Sequence, residues 1–279
     1  MSRFPIEPAI RQAVRRTAEL ALEVNEWVVR ATRPERLRVY LGHDALAVCR
    51  LTGRFKPVVR HKTILRPSSD AHGLAGQLTT LGAWLDVQPT RGEIEWIVGI
   101  GHVRYLLLPW DPRLARDAFC RSLTTALFVQ SFGGDIPIDT YQLRFGPLAF
   151  GRPRLVSLIA NDVIRELTTF SRRRASRARL IVPAMSVVWD HFFARMKKST
   201  GVLALVEGPR LLRVGYDHGH VTTFSIQPFS DTPPSTMPVD ATWIFPARSK
   251  AAATGGALTL DGHAPNDDAQ LAYALCGVV

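Results

Sequence analysis

The fold is decided by residues 37–67, LRVYLGHDALAVCRLTGRFKPVVRHKTILRP. Apolar and β-branched residues dominate this stretch, and glycine-containing turns interrupt it twice. It therefore predicts three consecutive strands, which are Leu37–Leu41, Ala45–Leu51 and Pro57–Leu65. Because short turns join them, we expect these strands to form a meander.

A second stretch of the same kind begins at residue 201. It predicts strands Gly201–Val206, Arg210–Tyr216 and His220–Ile226, with turns at Gly208-Pro209 and at Asp217-His218-Gly219. Helical periodicity alternates with further strands between the two meanders. This duplication predicts a two-lobe α/β protein with mixed sheets, rather than a regular strand–helix–strand array.

The chain divides into three predicted segments. Apolar residues at three- and four-residue steps predict a helix over 5–33, which Pro34 ends. We therefore assign residues 1–36 to an N-terminal helical extension. Residues 37–180 are assigned to the first lobe and residues 181–279 to the second.

Between the meanders, the local signals predict one hairpin and two helix starts. Ile94–Ile100 and Val103–Leu108 are expected to pair across a turn at Gly101-His102. Asp111 and Asn161 are residues that commonly cap helices, and each precedes a helical pattern. We expect each to begin a helix.

Composition and cysteine use indicate a cytoplasmic location. The chain has 279 residues, 46% of them hydrophobic, which is enough for a substantial core. No run reaches the roughly 18–20 apolar residues that span a bilayer, and the N-terminus lacks the apolar core of a secretory signal. Cys49, Cys120 and Cys276 are isolated, so we predict buried thiols without a disulfide framework.

The charge is strongly basic. Lys and Arg number 35 against 24 Asp and Glu, a formal charge of +11. Such an excess favours contact with nucleic acid, an anionic membrane face or an acidic partner. A GC-rich genome, which favours arginine, explains the same excess without any binding role.

Five motifs together resemble one group of bacterial proteins. They are the turn LGHDALAVCRL at 41–51, VGIGHVRYLLLPW at 98–110, RLIVPAMSVVWDHF at 179–192, VLALVEGPRLLRVGYDHGHVTTF at 202–224 and DAQLAYALCGVV at 268–279. The chain is similar in these to the cytoplasmic domain of the type II secretion protein GspL and to the type IV pilus protein PilM. The resemblance implies the actin-like fold, which is shared in outline with RNase H-like nucleases.

The resemblance also implies a function. Proteins of this group are cytoplasmic platforms peripheral to the inner membrane. They dock on a single-span membrane partner and contact the ATPase that drives pilus or pseudopilus assembly. GspL continues into a membrane span, and this chain is like PilM in lacking one.

In the actin-like fold, the turn after the first strand wraps around a nucleotide phosphate. Active members have an aspartate where this chain has Tyr40, so the resemblance implies that the catalytic acid is missing. In the second meander, Pro209 removes a backbone N–H group that a phosphate cradle would use. The residues left to contact a nucleotide are Gly42, Asp44, Glu207, Gly208, Gly255 and Gly256.

We therefore predict a degenerate nucleotide cleft with no catalytic residue. Neither ATP nor another cofactor is expected. Asp44 could replace the missing acid only if the turn were rearranged. A nucleotide-binding ATPase of the same fold is the alternative.

Two other clusters have residue types that suggest chemistry. Asp217-His218-Gly219-His220 contains metal-ligand types, but these are also ordinary turn formers, and no metal site is predicted. Glu93 and Glu95 flank the start of a strand, as the acids of a two-metal nuclease would. Their spacing suits an exposed face of the strand, so nuclease activity is not expected.

The densest basic stretch is RRRASRAR at 172–179. Arg172, Arg173, Arg174 and Arg177 are predicted to form a surface cluster that contacts an anionic membrane or an acidic partner. A solvated helix end explains the same residues, since cations favour a helix C-terminus. A basic nucleic-acid-associated protein is the third functional class, but only Phe170 supplies a nearby aromatic ring.

Overall fold

The computed structural model describes residues 35–53, 56–68, 73–90, 92–229, 242–246, 258–260, 263–264 and 267–278. The predicted helix over 5–33 and the Gly255-Gly256 pair lie outside these residues. The strands are β1 Glu35–Leu41, β2 Leu46–Thr52, β3 Val58–Leu65, β4 Gly92–Val98, β5 Val103–Leu108, β6 Tyr141–Phe145, β7 Arg154–Ala160, β8 Ser176–Pro183, β9 Thr200–Glu207, β10 Arg210–Asp217, β11 His220–Pro228 and β12 Trp243–Phe245. The helices are α1 Gly73–Val87, α2 Asp117–Phe132, α3 Asn161–Arg173, α4 Ala184–Met196 and α5 Leu271–Leu275.

The first meander forms one side of a five-stranded sheet with the order β3-β2-β1-β4-β8. β1 pairs antiparallel with β2 and parallel with β4, and β4 pairs parallel with β8. The central strand β1 is buried on both faces, as its unbroken run Leu37–Leu41 would require. The three strands predicted from residues 37–67 are confirmed.

The second meander repeats this arrangement in a four-stranded sheet with the order β11-β10-β9-β12. β9 takes the place of β1, because it pairs antiparallel with β10 and parallel with β12. The predicted duplication is therefore present in the topology. It places the turn after β1 and the turn after β9 at equivalent positions.

A third sheet, with the order β5-β7-β6, corrects the predicted hairpin over 94–108. β4 and β5 do not pair, since β1 and β8 already occupy the two edges of β4. A short 3-10 turn at Ile100–His102 instead redirects the chain into the other sheet, where β5 pairs with β7.

Both predicted helix caps differ from the structure. Asp111 accepts the Arg113 backbone N–H at 2.8 Å, but it caps a 3-10 turn, and α2 begins only at Asp117. The Asn161 amide donates to the Asp139 carbonyl at 2.9 Å, which leaves Ala160 at the cap of α3. Both side chains bond nearby backbone, but neither caps the predicted helix.

The core lies on both faces of the first sheet. On one face, the fully buried Trp96 donates its indole N–H to Ser171 of α3 at 3.1 Å. On the other face, Tyr40 stacks on Tyr273 of α5, whose ring also contacts Phe245 of the second sheet at 5.1 Å. Aromatic contacts thus join the first and second sheets through α5.

The three cysteines are free and buried, as predicted. Among the described helices, none has the length and apolar character needed to cross a bilayer.

Candidate functional site: a filled cleft between the two turns

The turn after β1 and the turn after β9 face one another. Gly208 adopts a φ of 53°, and a Cβ atom there would lie 3.1 Å from the Cβ of His43 in the opposite turn. The structure therefore brings together four of the predicted nucleotide-contacting residues, which are Gly42, Asp44, Glu207 and Gly208.

Glu207 reaches across from the second turn into the first lobe. Its Oε2 atom accepts the Ile100 backbone N–H at 2.7 Å, in the loop that follows β4. Only 5% of the residue is exposed, and this burial raises the pKa of its carboxyl group to about 7. The Glu207 carboxyl group thus accepts a backbone N–H that could otherwise bind an anion.

Tyr40, where the resemblance implies an acid in active members of the fold, is fully buried. Its ring lies 4.6 Å from that of Tyr273, and the Tyr273 hydroxyl donates to the Val206 carbonyl at 2.8 Å. Burial, reinforced by the nearby Glu207 carboxyl group, raises the pKa of Tyr40 well above its usual value. A neutral phenol cannot neutralise a magnesium ion as a carboxylate does.

Two glutamines hold the first turn. Gln77 of α1 donates to the Gly42 carbonyl at 2.7 Å, and Gln270 donates to Asp44 Oδ1 at 2.9 Å. A Cβ at Gly42 would lie 2.5 Å from Gln270 Oε1, so the glutamine also covers the glycine. Asp44 is therefore engaged by Gln270. No motif in the sequence marks either glutamine, so neither was predicted.

The rim of the cleft is basic. His43, His102 and Arg210 lie close enough to interact electrostatically, and the pKa of His102 is lowered by burial and then by the two neighbours. The same Arg210 stabilises the ionised form of Glu207. These groups could attract an anion to the mouth, but the interior is occupied by Glu207.

The Asp217–His220 segment is the turn between β10 and β11, as predicted. Asp217 accepts from Thr200 at 2.5 Å, pairs with Arg152 at 2.5 Å and contacts His218. These contacts hold the pKa of its carboxyl group well below the usual range, with the Thr200 hydrogen bond the largest cause. Within the described ranges, no three His, Cys, Asp or Glu side chains converge as metal ligands would.

Glu95 corrects the expectation that the two acids of β4 share an exposed face. It is 8% exposed and pairs with Arg36 at 3.4 Å and Arg38 at 3.9 Å on β1. Glu93 is more exposed and contacts Arg179 at 3.2 Å. The acids thus belong to an arginine network that braces the sheet.

The four predicted cluster arginines occupy two elements. Arg172 and Arg173 are exposed in the last turn of α3, and Arg177 is exposed on the edge strand β8. Arg174 is held by an ion pair with Asp86 of α1, and its guanidinium lies 5.8 Å from the Phe170 ring. Three of the four side chains are therefore presented to solvent.

A cavity of about 330 Å³ lies where β11, the β6–β7 sheet and the β8–α4 junction meet. Aromatic and aliphatic side chains such as Tyr105 and Trp189 form much of the wall, while Ser157, Ser186 and Asp190 supply polar groups. Partial burial raises the pKa of Asp190. Arg144 and His220 also line the cavity, so polar and apolar groups contribute about equally to its wall. A concave site with several convergent polar groups is a candidate binding site. No motif in the sequence predicts this cavity, because its lining comes from several distant segments.

Several solved structures are similar to this fold. The chain aligns with the PilM–PilN type IV pilus biogenesis complex at a TM-score of 0.51 and 11% identity, over 70% of this chain and 62% of that one. It aligns with the cytoplasmic domain of EpsL, an inner membrane component of the type II secretion system of Vibrio cholerae, at 0.49 and 11%, over 81% and 82%. A Bacteroides thetaiotaomicron protein with an actin-like ATPase fold aligns at 0.46 and 9%, over 72% of each chain.

The fold of this protein is therefore the actin-like fold, as its duplicated meander predicts. No protein-family model matches the chain, and no curated protein matches its sequence.

Proposed function

We propose that this protein is a non-catalytic platform of a type IV pilus or type II secretion system, held at the inner membrane by a single-span partner. The observation that carries the proposal is the filled cleft. The Glu207 carboxyl group accepts the Ile100 N–H, and Tyr40, where the resemblance implies a magnesium-binding acid in active members of the fold, stacks on Tyr273. A site closed in this way favours a structural role over ATP turnover.

The partner of the similar PilM structure suggests the mode of binding. PilM was solved with PilN, which assigns a protein partner to that relative. In this chain, the cavity beside Trp189 offers apolar walls for one or two anchoring side chains of a short segment, and Asp190 could pair with a cation. Strand addition at an exposed sheet edge is the other mode that fits a short segment.

The same proposal covers location and further contacts. The protein works on the cytoplasmic face, peripheral to the inner membrane, and contacts the assembly ATPase of its machine. Arg172, Arg173 and Arg177 present an electrostatic surface to anionic lipid. Nucleic acid is not proposed as a partner, because the nearby Phe170 ring is covered by Arg174.

Capture from detergent-solubilised membranes tests the proposal. The wild-type protein is expected to retain a single-span protein with a short cytoplasmic tail. Ser186→Arg, which places a long side chain in the cavity, should abolish capture, while Ser122→Arg on the exposed face of α2 should not. Recovery of nucleic acid alone, or equal capture by both variants, would contradict it.

A further inference from the structure

The loop between β6 and β7 exposes two large apolar side chains. Phe150 is 89% exposed and Leu148 is 42% exposed. Trp110, which follows β5, contacts Phe150 with ring centroids 5.1 Å apart. We call these three side chains, Leu148 and Phe150 of the loop and the adjacent Trp110, the apolar tip.

This loop is held in place by the protein around it. Its two stems pair through Gly146 N–H to the Leu155 carbonyl at 2.8 Å, and Arg154 donates to the Gly146 carbonyl at 2.8 Å. Arg152 forms an ion pair with Asp217 in the β10–β11 turn at 2.5 Å. The loop therefore holds Phe150 and Leu148 exposed at fixed positions beside Trp110, and contiguous exposed apolar groups of this kind mark interaction sites.

The surroundings of the tip are basic. Residues 141–160 contain Arg144, Arg152 and Arg154 and no acidic residue. Arg152 pairs with Asp217 and Arg154 bonds the Gly146 carbonyl, while Arg144 is exposed. Outside the loop, Asp111 pairs with Arg113, and Asp190 lines the cavity that the loop stems also line. The surface that covers Phe150 must therefore accept an apolar tip and tolerate positive charge beside it.

We propose that the β6–β7 loop inserts its apolar tip into the interface of an anionic bilayer. Aromatic side chains flanked by arginines are the groups that favour the boundary between headgroups and acyl chains. A stable protein interface buries about 800 Å² of accessible surface on each partner, which is far more than three side chains supply. A bilayer needs no matching surface, so a small protruding tip is sufficient.

The β6–β7 loop lies beside the cavity described above. Gly146, Pro147 and Pro153 form the stems of the loop and also line the 330 Å³ cavity. An inserted tip places the mouth of that cavity beside the membrane, where the tail of a single-span protein emerges. This second step rests on the proposed function, whereas the insertion itself does not.

Sedimentation with vesicles of phosphatidylcholine and phosphatidylglycerol in equal parts tests the insertion. Phe150→Ser is expected to lower the partition coefficient about 10-fold, because one Phe side chain leaves the bilayer. Val87→Ser removes another highly exposed apolar side chain, at the end of α1, and should leave binding unchanged. Equal binding by wild type and Phe150→Ser would overturn the proposal.

A fluorescent label reports insertion directly. The three native thiols are buried, so an environment-sensitive thiol dye would label Phe150→Cys or Val87→Cys selectively. Vesicles should shift the emission of the first variant to the blue and leave the second unchanged. No shift at position 150 on vesicles that bind the protein would overturn insertion. So would concentration-dependent self-association that Phe150→Ser abolishes, since the tip would then be a protein contact.

Vesicle binding uses no partner protein, so its outcome is independent of membrane capture. If Ser186→Arg loses membrane capture but still inserts into vesicles, both the platform function and the loop insertion are supported. Insertion without capture of any membrane protein would reject the platform function alone.

Discussion

Glu207 carries a carboxyl group whose proton affinity is set by burial. Its pKa rises from 4.5 to about 7, so the folded protein keeps this proton at a pH where the unfolded chain has released it. The contribution of this group to the free energy of unfolding is therefore complete below about pH 4.5. It is lost as the pH rises through about 7.

Glu207→Gln is expected to remove this pH dependence. At pH 8 the free energy of unfolding of the variant should exceed that of wild type by up to about 3 kcal/mol, since one pKa unit corresponds to about 1.4 kcal/mol. The variant is then the more stable protein, because it has no buried charge at this position. At pH 4.5 the two should be close. Urea unfolding at both pH values measures the difference, and a difference independent of pH would show that the Glu207 carboxyl group is not desolvated.

Gly99 is the residue that allows Glu207 to approach the first lobe. A Cβ at this position would lie 2.6 Å from the Leu41 carbonyl oxygen, and backbone cannot move aside cheaply. Gly99→Ala should therefore destabilise the protein by about 1–3 kcal/mol. Gly101→Ala is the control, because nothing lies within 4 Å of the added methyl group. Equal urea midpoints for the two variants would contradict the close packing of this loop.

Among the arginines at the end of α3 and on β8, Arg172, Arg173 and Arg177 are exposed to solvent, whereas Arg174 pairs with Asp86. Replacing Arg172, Arg173 and Arg177 with Gln should leave the melting temperature nearly unchanged, because exposed charges contribute about 0–1 kcal/mol each. Adding Arg174→Gln should lower it, since that side chain pairs with Asp86. Calorimetry compares the triple and quadruple variants, and an unfolded triple variant would show that these arginines are structural.

The same triple variant tests the predicted membrane contact. Its binding to anionic vesicles should fall several-fold at low salt and differ less from wild type at high salt, where charges are screened. If wild-type protein ignores such vesicles at low salt, the cluster is a solvated helix end.

Some elements could be predicted from the sequence and others could not, for physical reasons. The meanders were predictable because glycine turns bound apolar strands as short as Leu37–Leu41. The pairing of Ile94–Ile100 was not, because β8 arrives much later in the chain to occupy the edge that a hairpin would have used. Local sequence signals do not show which strand, distant in the chain, will pair with a given strand edge.

The candidate site was predicted to a similar extent. Tyr40 and Glu207 were identified by their positions in the two turns. The contact that fills the cleft joins residues 107 apart in sequence, so its geometry could not follow from spacing. Gln77 and Gln270 lie on a helix and before one, and glutamine there carries no local signal.

At the scale of the whole molecule, the two duplicated sheets are joined by contacts that an open nucleotide cleft would lack. Tyr273 of α5 stacks on Tyr40 of the first sheet and donates to Val206 of the second. Glu207 adds a hydrogen bond between the turns and the loop after β4. Among the described residues, the cleft is thus closed from both sides, and the Ile100 N–H that faces it is already bonded to Glu207.

ATP hydrolysis by the purified protein shows whether the filled cleft can turn over a nucleotide. Phosphate release in the presence of Mg²⁺ and ATP is expected to stay at the background measured without protein, both for wild type and for Asp44→Ala. Robust Mg²⁺-dependent turnover by wild type that Asp44→Ala abolishes would contradict the account, and would identify the protein as an ATPase of the actin-like fold.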